Sequence, residues 1–403
     1  MSARGRSLLA EHWILDPDTT YLNHGTVGAT PRRVLAVQQA LRDEMERTPA
    51  RFMLRELTLG HPAPWRRESR LREAIRPVAA FVGAQAQHIV FVQNVTLGMN
   101  AVLQSVPLRP GDEIVATSLA YGAVSITLDV VARRTGAVVH RVDPAFPPPS
   151  PGAIVDAIRA ALTERTRLVV IDHVTANTAL VLPVTEIAAE CQARGIPVLV
   201  DGAHAPGSID VNIAALASAG VCWYAANLHK WAHAPRTAGF LWAHPDHQEG
   251  LHHPVVSWGY GEGFPQEFEN HATHDPTGSL AAPAGIALLQ EWGWPTVRDD
   301  MHRLACDAGR LLTERWGTSI STPESMIGAM VTVPLPERAG SSSDEAEALR
   351  LALLEEDRIE VAVSANWGRL WIRVSCQVYN DRADITRLAD AVAARVQALS
   401  ARG

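Results

Sequence analysis

The sequence predicts an α/β fold: a mostly parallel sheet with helices on both faces, followed by a smaller α/β lobe. Three observations predict it. Between about residues 20 and 245, short apolar runs alternate with helix-length segments. Several of those runs are apolar throughout, as strands covered on both faces require. Beyond a stretch rich in Gly, Pro and His at 255–285, the rhythm changes.

In chain order, the strand candidates are Ile89–Val92, Glu113–Ala116, Val138–Val142, Leu168–Ile171, Val198–Val200, Val221–Ala225 and Gly239–Trp242. Helical patterns at Tyr121–Arg134, Pro151–Leu162 and Val184–Arg194 lie between them. The Pro-rich Asp143–Pro151 reads as a stiff surface connection inside this rhythm. After the break come a long helix near Val297–Trp316, a strand near Met330–Val333 and a helix at Ser343–Glu356. A strand at Leu370–Ser375 and a closing helix at Asp384–Ser400 follow. The division expected is 20–285 for the large domain and 286–403 for the small one, with 1–19 packing near the latter.

The chain has 403 residues, 47% of them hydrophobic and 20% charged, which suits a globular protein of two lobes. A net charge of -7 without a basic run argues against a nucleic-acid surface. Cys191, Cys222, Cys306 and Cys376 are too dispersed for a disulfide framework or zinc site, which fits a reducing cytoplasm. Met1–Trp13 lacks the apolar core of a signal peptide, and no run reaches the ~18 apolar residues of a membrane helix. The 16 histidines, among them His244, His247, His252, His253, His271 and His274, occupy turns without carboxylates or cysteines at ligand spacing, so no metal is expected.

Three segments carry chemistry. Val198–His204 is an apolar strand ending in Asp201, either a helix N-cap or a carboxylate at a ligand-binding strand end. Asn227–Trp231 follows another apolar strand and sets Lys230 between Leu228 and Trp231. An isolated lysine is usually a solvated charge, but a desolvated one is a nucleophile for carbonyls. Pyridoxal 5'-phosphate (PLP) chemistry needs this pair, a lysine for the imine and a carboxylate for the pyridinium nitrogen. Phe91–Thr96 is a strand and polar turn opening a helix, a phosphate cradle of free N–H groups.

With these residues in view, the chain resembles the class V aminotransferases, PLP enzymes of the aspartate aminotransferase-like fold, in their isopenicillin N epimerase-like branch. The resemblance runs from Tyr21–Gly25 to Arg373–Asn380, and VDGAHAPG (Val200–Gly207) followed by HKW (His229–Trp231) is its most specific part. It implies a seven-stranded large domain, a small C-terminal domain and a homodimer with active sites at the interface. It implies Lys230 as the Schiff-base lysine, Asp201 on the pyridine nitrogen and His204 near the phenolic oxygen. Thr96 with its neighbour Val95, Asn227 and His229 would hold the phosphate. Tyr121 would stack on the ring, although it could be a packing residue at a helix start. Thr273 would reach the neighbouring subunit's phosphate, or be an ordinary loop residue. Arg373, with Asn23, would bind the substrate carboxylate, although a surface salt bridge would also explain an arginine there. Two departures stand out: Ser118-Leu119-Ala120 where many relatives carry Asp-His, and Ala272-Thr273-His274-Asp275 where many carry Gly-Thr-Arg-Asp.

The expected substrate is an amino acid. The reaction favoured is β-elimination from a cysteine S-conjugate, a C–S lyase activity of specialised metabolism such as antibiotic biosynthesis. The alternatives are Cα epimerisation, decarboxylation-coupled oxidative deamination of an S-conjugate, and a non-catalytic module. A desulfurase is not expected, because Leu335–Asp344 holds no cysteine.

Overall fold

The computed structural model describes residues 5–58, 65–66 and 68–400. After β1 (Thr20–Tyr21), seven strands build the main sheet: β2 (Ile89–Val92), β3 (Glu113–Thr117), β4 (Val138–Val142), β5 (Thr166–Asp172), β6 (Val198–Asp201), β7 (Val221–Asn227) and β8 (Gly239–Ala243). Their order is β2-β8-β7-β6-β5-β3-β4, and β8 is the one antiparallel member. All seven expected strands are present. Every residue of β2, β3, β6, β7 and β8 is buried, because helices cover both faces and leave nowhere for polar alternation. At the edge, β4 carries His140 and Arg141 and is only partly covered.

The helix expected from Tyr121 starts at Gly122, with Tyr121 as its extended N-cap. The stretch 255–285 is not a break throughout, since Thr277–Glu291 is helical, contains Pro283 and runs through the division expected at 285/286. Its Gly285 marks a close approach: a Cβ there would lie 2.5 Å from the Ala232 carbonyl oxygen, in the loop that follows Lys230.

A second sheet has the order β11-β12-β9, all antiparallel, from β9 (Met330–Pro334), β11 (Ala362–Asn366) and β12 (Arg369–Ser375). β11 was not expected: its small residues Ala362, Ser364 and Ala365 lack β propensity, and pairing to β12 holds it in place. The short β10 (Ile359–Glu360) runs parallel to β1. Together with a Ser375 N–H to Leu22 C=O bond of 2.8 Å, this pairing fastens the segment Leu22–His24 beside the end of β12. Leu22 shares a core with Val333, Ile372 and Val374. Among the described residues, no helix is long and apolar enough to cross a membrane.

Candidate active site

The parallel strands β5, β6 and β7 end side by side, with Asp172 paired to Asp201 and Asp201 to Ala225. Ligands in open α/β sheets bind beyond such carboxyl ends. Here they carry Asp172, Asp201 and Asn227, with Lys230 in the turn that leaves β7.

That turn is rigid. Leu228 and His229 both donate their N–H groups to the Ala238 carbonyl, at 2.9 and 3.1 Å. His24 Nε2 lies 2.9 Å from the Lys230 carbonyl, so it carries the proton and donates, while Nδ1 accepts from the Tyr379 hydroxyl at 2.8 Å. Gly28 passes close beneath, at φ +70°, where a Cβ would lie 2.0 Å from the His229 carbonyl oxygen. Lys230 Nζ donates to His204 Nε2 at 3.1 Å. Burial first, then the Arg373 charge, lowers the Lys230 pKa from 10.5 to about 8, against the opposing pull of Asp201. Burial and the same cations keep His204 neutral.

Asp201 is buried and half-satisfied. Its Oδ1 accepts the Ala203 N–H at 2.9 Å, as a cap would, but its Oδ2 has no hydrogen-bond partner among the described residues. Burial raises its pKa from 3.8 to about 6. An orphaned, buried carboxylate oxygen fits the protonated ring nitrogen of PLP, so the cap and cofactor roles are compatible. His204 Nδ1 is likewise buried and unpaired. Sequence reasoning missed Asp172, whose pKa is raised well above the carboxylate range by burial and by Asp201, and which accepts the Tyr121 N–H. Its one visible signal was the carboxylate that closes an apolar strand run.

At the helix Val95–Ser105, Asn94 caps the Leu97 N–H at 3.0 Å. Val95, expected to offer its N–H to phosphate, does not: Asn227 Oδ1 accepts that N–H at 2.9 Å, and the Val95 side chain lies in the core. The same bond fixes the Asn227 amide, because turning it over would set donor against donor. Among the described residues, the Thr96 N–H is the first-turn donor left without an acceptor. His229 also departs from expectation. Its Nδ1 donates to Ala238 C=O at 3.0 Å and burial lowers its pKa to about 4, so the neutral ring keeps only an acceptor at Nε2.

Arg373 on β12 is 7% exposed and makes no ion pair among the described residues. It donates to the Ala176 carbonyl at 2.5 Å, to Thr26 Oγ1 at 2.6 Å and to Asn23 Oδ1 at 3.2 Å, while Nε has no partner. Burial lowers its pKa to about 10, which still leaves it charged at neutral pH. A surface salt bridge is thereby excluded. Asn23, expected beside the substrate, braces Arg373: its Nδ2 donates to Glu360 at 2.8 Å and its Oδ1 accepts from Thr26 and Arg373. Tyr121, at the N-cap of its helix, is 46% exposed. Thr273 is exposed on a loop flanked by the stacked rings of His253, His271 and His274.

The aminotransferase class-V model matches residues 28–388, and the chain belongs to that family. It is a PLP-dependent enzyme, and the amino-acid chemistry of that cofactor suits the site just described. It is 34% identical to isopenicillin N epimerase of Streptomyces clavuligerus, covering 97% of this chain and 96% of the relative. It is 31% identical to a probable chloroplastic L-cysteine desulfhydrase of Arabidopsis thaliana, covering 94% of this chain and 83% of the relative. The solved cystine C–S lyase C-DES shares the fold, with a TM-score of 0.75 and 23% identity over 93% of this chain and 97% of that one.

Proposed function

We propose that this enzyme is a C–S lyase that cleaves cysteine or a cysteine S-conjugate by β-elimination, with Lys230 as its base. One observation carries the reading: Asp201 and Arg373 are buried and, among the described residues, make no ion pair, and both act on the charge of the desolvated Lys230. Such groups persist where a ligand completes them. Asp201 would hold the pyridine nitrogen, and Thr96, Asn227 Nδ2 and, once protonated, His229 would hold the phosphate. Tyr121 would stack on the ring and His204 would face its phenolic oxygen. When bound, PLP supplies an electron sink for the pair left at Cα.

The chain's own part is to bind, orient and move one proton. Arg373 grips the α-carboxylate through its planar fork, held by Asn23, Thr26 and Ala176. Lys230 Nζ takes the proton from Cα, and the Cβ–S bond breaks with its electrons going to sulfur. The thiolate leaves, and 2-aminoacrylate adds water to give pyruvate and ammonia. Relatives named L-cysteine desulfhydrase support this outcome. All four cysteines are buried, and burial pushes the Cys376 thiol up, so no thiolate is offered for persulfide transfer.

Epimerisation is the second reading, favoured by the identity to isopenicillin N epimerases. It needs a second proton donor across Cα from Lys230. Of the segment before Tyr121, Leu119 faces the core and Ser118 donates to Asp143 at 2.5 Å, so neither extends a relay to Tyr121. Reaction of an S-substituted L-cysteine in deuterated water tests the choice. Free thiol with pyruvate and ammonia is expected. Inverted, α-deuterated substrate without thiol would establish the epimerase, and carbon dioxide with an aldehyde would establish oxidative deamination. We further read the active unit as a cytoplasmic homodimer, in which the exposed Thr273 reaches the neighbour's phosphate.

A further inference from the structure

β11 and β12 are joined by the two residues Trp367 and Gly368, both at positive φ, +50° and +71°. A two-residue hairpin turn of this kind favours Asn-Gly, and a bulky aromatic in its first seat is a strained choice. Core burial does not explain it, because Trp367 is 47% exposed. Its ring has one evident task. It lies nearly parallel to Phe146, with centroids 4.5 Å apart and planes at 19°.

Phe146 sits in the Pro-rich loop that leaves β4 of the main sheet. The start of that loop is tied down by the Ser118 hydroxyl, which donates to Asp143 three residues before Tyr121. Trp371 closes the cluster, edge-on to Phe146 at 5.0 Å and to Trp367 at 5.6 Å, with its Nε1 donating to the Asn366 carbonyl at 2.9 Å. Strand alternation puts Trp371 on the same face of β12 as Arg373, two residues away. That face therefore meets the main-sheet side at two points: Arg373 on the Ala176 carbonyl, and the indoles on Phe146.

We propose that Trp367 and Phe146 form an aromatic clasp that positions Arg373 for the substrate carboxylate. The proposal rests on the reading of Arg373 given above. The strain in the turn is retained because the stacked ring holds the hairpin, and hence the guanidinium, against the sheet that bears Lys230. Trp367 is a positioning residue, since it acts through β12 and touches no reacting atom.

Trp367→Asn suits the turn better than the native residue, so the variant folds and its melting temperature is expected to be unchanged or higher. The holoenzyme is titrated with S-methyl-L-cysteine and with S-methylcysteamine, which differ only in the carboxylate, and the cofactor's visible absorption is followed. An aromatic pair is worth roughly a threefold to tenfold change in equilibrium. Trp367→Asn should weaken the amino acid by about that factor and leave the amine unchanged. Phe146→Ala should do the same, and the double variant no more. Equal affinity for both ligands in wild type and variant, or equal weakening of both, overturns the clasp. Arg373→Lys is run alongside. If it loses the preference for the acid while Trp367→Asn keeps it, the clasp alone falls. If Arg373→Lys keeps that preference, the carboxylate reading falls and takes the clasp with it.

Discussion

Replacing Asp201 by Asn separates what the carboxylate does for the fold from what it does for catalysis. Burial raises its pKa from 3.8 to about 6. At ~1.4 kcal/mol per pH unit, keeping it ionised at neutral pH costs the apoprotein roughly 3 kcal/mol. The sign follows from the raised value: this group's stability contribution is fully present below pH 3.8 and is lost as pH rises through about 6. Asn cannot titrate, so it escapes the loss. Its amide keeps an acceptor for the Ala203 N–H, and any penalty for the unpaired NH2 is independent of pH. The melting temperature of apo Asp201→Asn minus that of apo wild type should therefore rise from pH 4 to pH 7. Asp172, one strand away, titrates as part of the same pair, so the difference reports the pair. Catalysis should move the other way. A charge pair ~4 Å apart at an effective dielectric near 20 is worth about 4 kcal/mol, so turnover should fall about a thousandfold. A variant with near-normal turnover and a pH-independent stability difference would show that Asp201 is a backbone cap and nothing else.

Three further outcomes are expected. With a pKa of about 8 in place of 10.5, Lys230 is roughly 10% neutral at pH 7, against about 0.03% for an ordinary lysine. The rate at which apoprotein captures PLP should thus climb about tenfold between pH 6 and 7 and level off above about 8; a rise continuing past pH 10 would contradict this, and Lys230→Ala should capture none covalently. Gly28→Ala forces a Cβ to 2.0 Å from the His229 carbonyl oxygen, and should cost roughly 2–3 kcal/mol of stability and loosen cofactor retention, read by thermal unfolding and dialysis. Mixing Lys230→Ala with Thr273→Ala subunits should yield hybrids with one complete site and more activity than the sum of the parents, while additive activity would place Thr273 outside the neighbour's site.

The main sheet was legible because a strand covered on both faces must be apolar along its whole length, and the bounds of β2 and β4 emerged unchanged. The places of Asp201, which closes β6, and of Lys230, in the turn that leaves β7, were legible because a polar residue stands out beside such a run. What stayed hidden depends on contacts across the chain. Asn23 and Arg373 lie 350 positions apart, and only their meeting shows that the amide supports the guanidinium. The Val95 N–H looked free because its acceptor, Asn227, is 132 positions away. The helix Thr277–Glu291 was obscured by Pro283 and Gly285, residues that read as breakers, although Gly285 serves a close approach to Ala232. Trp367 gave no signal, since a lone aromatic in a turn acquires meaning only opposite Phe146.

The arrangement of charge bears on why these groups stay apart. Arg373 and Asp201 would stabilise the protein more as an ion pair, and the fold holds them on different sheets, β12 and β6. Lys230 stands within reach of both fields, lowered by one and raised by the other. Asp172 lies in register with Asp201, and two buried carboxylates cannot both carry charge. The charge belongs on Asp201, which has the Ala203 N–H and the Lys230 ammonium to favour it, and Asp172 is left as the neutral acid. On the proposed reading, the substrate would supply a carboxylate for Arg373 and the cofactor a protonated ring nitrogen for Asp201. The stability forgone in the empty site would then become affinity and orientation in the occupied one, which is the sense in which an unpaired buried group points to function.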